Sequence, residues 1–244
     1  MGRAHEVRAS KMEKTSGQKS KLYSKFGKEI YMAAKEGGTD PDSNLTLRRL
    51  IERAKQAQVP GDVIKRNIEK SKGGIGEDYS PAKYEGYGPG GCTLIVDCLT
   101  DNVNRTFGEV RTCFTKTGSK LGVSGSVSYL YTYCAHISFS GMTEDEALEA
   151  LMNNDCEVTD IESDEDVVII TGEPGDLDHI KDSLVATGKE LTFFEDQVTY
   201  VPNDRIVLDE DHLVQFYRFL ALADDLDDVQ EVYHNVNLPD VDQY

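Results

Sequence analysis

A chain of 244 residues, 39% hydrophobic and 29% charged, is long enough for one to three domains with packed cores and too long for a small disulfide-stapled scaffold. No apolar run approaches the roughly 18 residues of a membrane span, and the opening stretch carries Glu6 and Glu13 instead of a signal-peptide core. A soluble, cytoplasmic protein with no membrane partner is expected. The net charge of -18 is distributed unevenly: Lys plus Arg stand 17 against 11 Asp plus Glu in residues 1–80, 5 against 4 in 81–140, and 4 against 29 in 141–244. Electrostatic attraction fades over about 8 Å in physiological salt, so a basic lobe can meet a polyanion although the rest of the chain is acidic.

The basic lobe reads as three short amphipathic helices. In KSKLYSKFGKEIYMAAKEGG, Leu22, Phe26, Ile30 and Ala33 recur at helical spacing, while Lys14, Lys21, Lys25, Lys28 and Lys35 form a neighbouring cationic stripe. Gly37 and Gly38 stop this helix. DPDSN opens a second, with Leu47, Leu50, Ile51 and Ala54 inward and Arg48, Arg49, Arg53 and Lys55 outward, ending at Pro60. A third runs from Gly61 to Ser71, with Val63, Ile64 and Ile68 apolar and Lys65, Arg66 and Lys70 exposed. The first fifteen residues, with Lys11, read as a mobile arm. These cations, together with Arg105 and Lys116 on a later helix, are the candidate nucleic-acid-binding residues, each neutralised phosphate contributing through counterion release. Changing Lys21, Lys25 and Lys28 to Glu is expected to abolish association and leave the fold intact.

From Gly73 to Gly91 the chain holds seven glycines, two prolines and three tyrosines, a composition that predicts neither a helix nor a long strand and so a hinge. Tyr79, Tyr84 and Tyr87 place aromatic rings in that loop, within reach of an RNA surface. A strand at Thr93–Leu99, a helix at Val103–Lys116 opened by Thr100, Asp101 and Asn102, and a strand around Ser126–Tyr131 follow. Residues 134–200 then read β-α-β-β-α-β, the order of a ferredoxin-like fold. A helix from Asp209 to Ala223, with Leu213, Phe216, Tyr217 and Leu220 inward, and a strand near Val229–Asn235 complete the interrupted unit. The expected architecture is α+β and multidomain: a basic three-helix bundle with its arm (1–76), a middle α+β domain (77–132 and 203–244) and an inserted acidic ferredoxin-like domain (133–202).

Catalytic and metal signatures fail on placement. Gly86-x-Gly88-x-x-Gly91 precedes a strand, whereas a dinucleotide fingerprint follows one and opens a helix. Gly122-Val123-Ser124-Gly125 is one residue short of a nucleophile elbow. Five histidines never pair at i, i+4, and the five cysteines lack a Cys-x-x-Cys pair, so buried, reduced thiols are expected and no metal, cofactor or enzymatic activity is called for. The Asp224, Asp225, Asp227 and Asp228 cluster reads as a solvated acidic face. One feature of the helix after Asn102 keeps a functional reading: Arg105 and Lys116 lie eleven apart on one face, and the helix N-terminus can receive a phosphate. The acidic region after residue 140 turns away from nucleic acid, outward or toward a basic protein partner.

The ordered segments GKEIYMAAKEGGTDPDSN, IERAKQAQVPGDVIKRNIEK, YEGYGPGG, CLTDNVNRTFGEVR and GVSGSVSYLY resemble the YebC-like family of probable transcriptional regulatory proteins, which includes mitochondrial translational activators of cytochrome oxidase. The resemblance is dense up to about residue 131. It implies the same bundle, middle domain and ferredoxin-like insertion, and no enzymatic activity. It implies either DNA binding upstream of controlled genes, as a transcription regulator, or RNA binding on the ribosome, as a translation factor that relieves stalling on proline-rich stretches. The start, MGRAHEVRASKMEKTSGQKS, departs from the GHSKW-type opening of many members, as in a divergent branch. Without a helix that aims Asn, Gln and Arg at base edges, weak sequence preference is expected.

Overall fold

The computed structural model describes residues 16–72 and 78–238. The expected arm, with Lys11 and Lys14, and part of the expected hinge lie outside the described residues. The protein is α+β, with seven α-helices and two antiparallel four-stranded sheets among the described residues. It divides into two compact units, one reaching Ser128 and resuming over Leu208–Val236, the other spanning Tyr129–Val207.

In the first unit, α1 (Ser16–Gly37), α2 (Leu45–Gln56) and α3 (Gly61–Lys72) form the three-helix bundle. Its core is the apolar set read from spacing: Phe26, Ile30, Ala33, Leu47, Ala54 and Ile64 are buried, with Leu50, Ile51, Val63 and Ile68 packed against them. Asn44 fixes the α1–α2 corner. Its Oδ1 accepts from the Leu47 N–H at 3.0 Å, capping α2, while its Nδ2 donates to the carbonyls of Ala33 and Gly38 at 2.8 Å. A Cβ at Gly37 would meet Asn44 Nδ2 at 2.6 Å, and Gly38 ends the helix at φ +93°. Helix α2 stops at Gln56, short of Pro60, because Gln58 takes a left-handed φ of +60° and the Gln58 and Val59 N–H groups turn back onto the Lys55 and Ala54 carbonyls.

Two expectations for the next stretch are corrected. The glycine-rich segment holds an eight-residue strand, β1 (Ser80–Tyr87), paired antiparallel with β2 (Thr93–Thr100) along its whole length. Only Gly86 falls inside it, and Pro81 lies where β1 has no second neighbour, so the missing N–H costs no ladder bond. The strand expected at Ser126–Tyr131 is absent. Instead β3 (Lys120–Leu121) pairs with the end of β1, and Ser128–Leu130 forms a 3-10 turn at the boundary of the two units. The sheet order is β3-β1-β2-β8, with β8 (Val229–His234) against β2. Helices α4 (Val103–Lys116) and α7 (Glu210–Asp224) join it through the Phe114 and Phe219 rings, 4.8 Å apart. On α7, Phe216 and Phe219 are buried whereas Tyr217, expected inward, is exposed.

The Glu85 side chain, buried on β1, accepts the N–H groups of Gly125, Val127 and Ser128, each at 2.9 Å. Burial acts to raise this carboxyl, but the three N–H donors outweigh it and hold it below the usual range. Glu85→Gln turns an amide donor toward those donors and is expected to cost about 2 kcal/mol in urea unfolding. A loss of under ~0.5 kcal/mol would remove Glu85 as the anchor of this loop.

The second unit is the ferredoxin-like fold. Strands β4 (Tyr131–Ser140), β5 (Asp160–Asp164), β6 (Val167–Gly172) and β7 (Thr192–Pro202) take the order β5-β6-β4-β7. Helices α5 (Glu144–Asn153) and α6 (Leu177–Val185) cover one face over a core that includes Ile137, Phe139, Leu151, Ile170 and Ile180. Thr143 and Glu146 form a capping box that starts α5. All five cysteines are buried, and burial pushes the Cys92 and Cys98 thiols up to about 12.

Candidate nucleic-acid interface

The cationic stripe of α1 is engaged within the chain. Lys21 Nζ lies 2.6 Å from Asp225 Oδ1, Lys25 Nζ 3.0 Å from Asp224 Oδ1, and Lys28 Nζ 2.9 Å from Asp228 Oδ1 and 2.8 Å from the Asp227 carbonyl. Lys35 pairs with Asp78 at 2.5 Å. The acidic cluster is therefore a docking surface for α1, which corrects its reading as a solvated face. Asp224 and Asp225 close the C-terminal end of α7, where the helix dipole disfavours carboxylates, and the α1 lysines compensate.

Asp228 is the centre of this contact. Only 4% exposed, it receives Lys28 on one oxygen. The other oxygen meets Arg105 Nη2 at 2.5 Å and the hydroxyls of Thr100 and Thr106 at 3.0 and 2.8 Å. Burial alone would raise this carboxyl. The hydrogen bonds from Arg105, Lys28, Thr106 and Thr100 outweigh it and hold the group far below the carboxylate range. Arg105 also meets Asp101 at 2.7 Å, and Asn102 caps α4, so this helix start is already occupied from within the chain. A cleft of about 350 Å³ opens beside the network, where Lys28 Nζ sits 5.3 Å from the centre of the Tyr79 ring.

Reversal of Lys21, Lys25 and Lys28 to Glu is therefore expected to destabilise the docking of α1, because it sets carboxylate against carboxylate, one of them buried. The tyrosines expected in a loop are likewise tied to the fold. Tyr79 packs edge-on to Tyr31 at 5.9 Å, Tyr84 lies 6.1 Å from Phe107, and the Tyr87 hydroxyl donates to the Ser126 carbonyl at 3.1 Å.

The remaining candidates face outward. Arg48 and Lys55 on α2, and Lys65, Arg66 and Lys70 on α3, are exposed and carry no ion-pair partner among the described residues. Arg53 lies over the Phe26 ring at 5.9 Å, and Arg49 is half-buried. Lys116 is exposed in the last turn of α4. The sequence thus identified cations but not which of them the fold consumes, because the consuming carboxylates lie about 200 positions further along.

Among the described residues, no three His, Cys, Asp or Glu side chains are grouped to hold a metal, and no helix is long and apolar enough to cross a membrane. Residues 79–236 match the family described as TACO1/YebC second and third domain, and residues 3–74 match the TACO1/YebC protein N-terminal domain. The chain is 51% identical to a protein of Marinobacter nauticus named "Probable transcriptional regulatory protein", over 98% of this chain and 99% of that one. A protein of the same name from Pseudoalteromonas atlantica is also 51% identical, over 96% and 97%. The crystal structure of a conserved hypothetical protein from Aquifex aeolicus superposes with a TM-score of 0.78 at 37% identity, covering 93% of each chain.

Proposed function

This chain belongs to the TACO1/YebC family, whose relatives carry the name "Probable transcriptional regulatory protein", and from that premise we propose that it is a nucleic-acid-binding regulatory protein, a DNA-binding transcriptional regulator without catalytic activity. Its phosphate-facing surface is the solvent side of α2 and α3. The observation that carries this reading is the division of the basic lobe: the α1 lysines are neutralised by Asp224, Asp225 and Asp228, whereas Arg48, Lys55, Lys65, Arg66 and Lys70 have no such partner among the described residues. Exposed cations held at helix spacing and not engaged in ion pairs are what a polyphosphate chain displaces counterions to meet. The inserted acidic unit is left to face solvent or a basic protein.

A second reading, a ribosome-associated factor that binds ribosomal RNA and relieves stalling on proline-rich stretches, draws on the same side chains. It is favoured by what α2 and α3 offer, which is charge for a backbone and no set of Asn and Gln for base edges. Titration of the full chain into labelled duplex DNA and into a ribosomal RNA fragment, across a salt series, tests both. Five phosphate contacts predict a slope of log affinity on log salt of about -4.5 for duplex DNA and little dependence on its sequence. Failure to associate with either nucleic acid in dilute buffer would overturn the proposal, and binding to the RNA alone would select the second reading.

A further inference from the structure

Gly108 stands in the middle of α4, on its solvent side, and a Cβ added there meets nothing within 4 Å. A glycine inside a helix is less favourable than alanine, and close packing is the usual compensation. Here the chain's own packing supplies none, since α4 buries its opposite face through Thr106, Val110, Cys113 and Phe114. Asn104, Gly108, Arg111 and Thr115 follow one another at intervals of four, three and four and form one exposed strip.

The flank of that strip is aromatic. Phe107 is 44% exposed and Val103 49%, so α4 presents two large apolar side chains to solvent beside its buried face. The Phe107 ring is set by Tyr84, whose ring lies 6.1 Å away, tilted by 46°, and whose hydroxyl donates to the Val103 carbonyl at 3.4 Å. One helical turn beyond Phe107 stands Arg111, exposed and with no ion-pair partner among the described residues. Helix α4 carries Arg105, Arg111 and Lys116 against the single acid Glu109, in a protein of net charge -18. Arg105 is consumed by Asp101 and Asp228, which leaves Arg111 and Lys116 as the cations of α4 without an ion pair among the described residues.

We propose that this face of α4 binds an unpaired nucleotide of a single-stranded nucleic acid. The base stacks on Phe107, the sugar and phosphate pass over the bare backbone at Gly108, and Arg111 meets the phosphate. A planar apolar platform and a guanidinium one turn apart match the span of one nucleotide, and the glycine admits the close approach. Bases paired in a duplex cannot reach Phe107, so this site and the α2–α3 surface select different forms of nucleic acid. The inference rests on the nucleic-acid reading above and adds to it a second, single-strand-selective contact.

The test uses the full chain with labelled single-stranded oligouridine and oligothymidine, and with duplex DNA. Gly108→Ala is expected to raise the Tm because it removes a helix-interior glycine. Gly108→Leu and Phe107→Ala are each expected to weaken single-strand binding about tenfold while duplex affinity stays as in the unaltered protein. Preference for oligouridine or oligothymidine identifies RNA or DNA as the source of the strand. Unchanged single-strand affinity in both Gly108→Leu and Phe107→Ala, or binding of duplex but of neither oligonucleotide, would overturn the site and leave the α2–α3 surface standing. An unaltered protein that binds none of the three probes removes the broader reading itself.

Discussion

Asp228→Asn is expected to remove about 3 kcal/mol of the stability of the unit that contains α1–α4 and α7, measured by urea unfolding. Removing one partner of a buried ion pair costs about 3–5 kcal/mol because the other is left uncompensated. Here the low end applies, since Arg105 is nearly half exposed and can turn to water, while Lys28 and the buried hydroxyls of Thr100 and Thr106 cannot. The carboxyl titrates below its ordinary value of 3.8, so its contribution is full above that value and is lost as pH falls through the folded-state pKa. The gap between the unaltered protein and Asp228→Asn should therefore be constant near neutrality and shrink below about pH 4. By contrast, Lys21→Ala and Lys25→Ala each break a pair with an exposed aspartate and should cost little in the same measurement. A loss of that small size for Asp228→Asn would show that α1 docks through its apolar contacts alone.

The same network marks where a one-dimensional reading ends. Elements opened by a local signal emerge at nearly the expected places: α4 behind Asn102, α5 behind Thr143 and α7 behind Asp209, each with the capping side chain accepting a backbone N–H. Strand β1 does not, because glycine content describes the segment's ends and says nothing of the eight residues that β2 recruits by pairing. Core faces follow helical periodicity in α1–α3, and on α7 Phe216 stays inward while Phe219, packed against the Phe114 ring, is buried in place of Tyr217. For the candidate site, charge located the basic lobe and spacing located its faces. Asp228 draws its partners from positions 28, 100, 105 and 106, and no pattern within a window of twenty residues links it to them.

Reversing Lys65, Arg66 and Lys70 to Glu is expected to weaken nucleic-acid binding by roughly 10²–10³-fold near 0.1 M salt, measured by anisotropy with duplex DNA. Each lost phosphate contact lowers affinity about eightfold at that ionic strength through the counterions no longer released, and three contacts multiply. The slope on log salt should fall by about 2.7 at the same time, which separates lost contacts from a general loss of folded protein. Stability should change by only about 1 kcal/mol, chiefly because a glutamate at position 70 opposes the dipole in the last turn of α3. Reversing Lys21 and Lys25 instead adds two-thirds as much negative charge to the bundle, but to side chains that Asp224 and Asp225 already neutralise. Repulsion from that added charge is screened over about 10 Å at this ionic strength, so the change in binding should be small and the change in stability the larger of the two. The opposite ranking, with α1 reversals abolishing binding and α3 reversals tolerated, would mean that nucleic acid displaces the acidic turn and that the phosphate surface lies on α1.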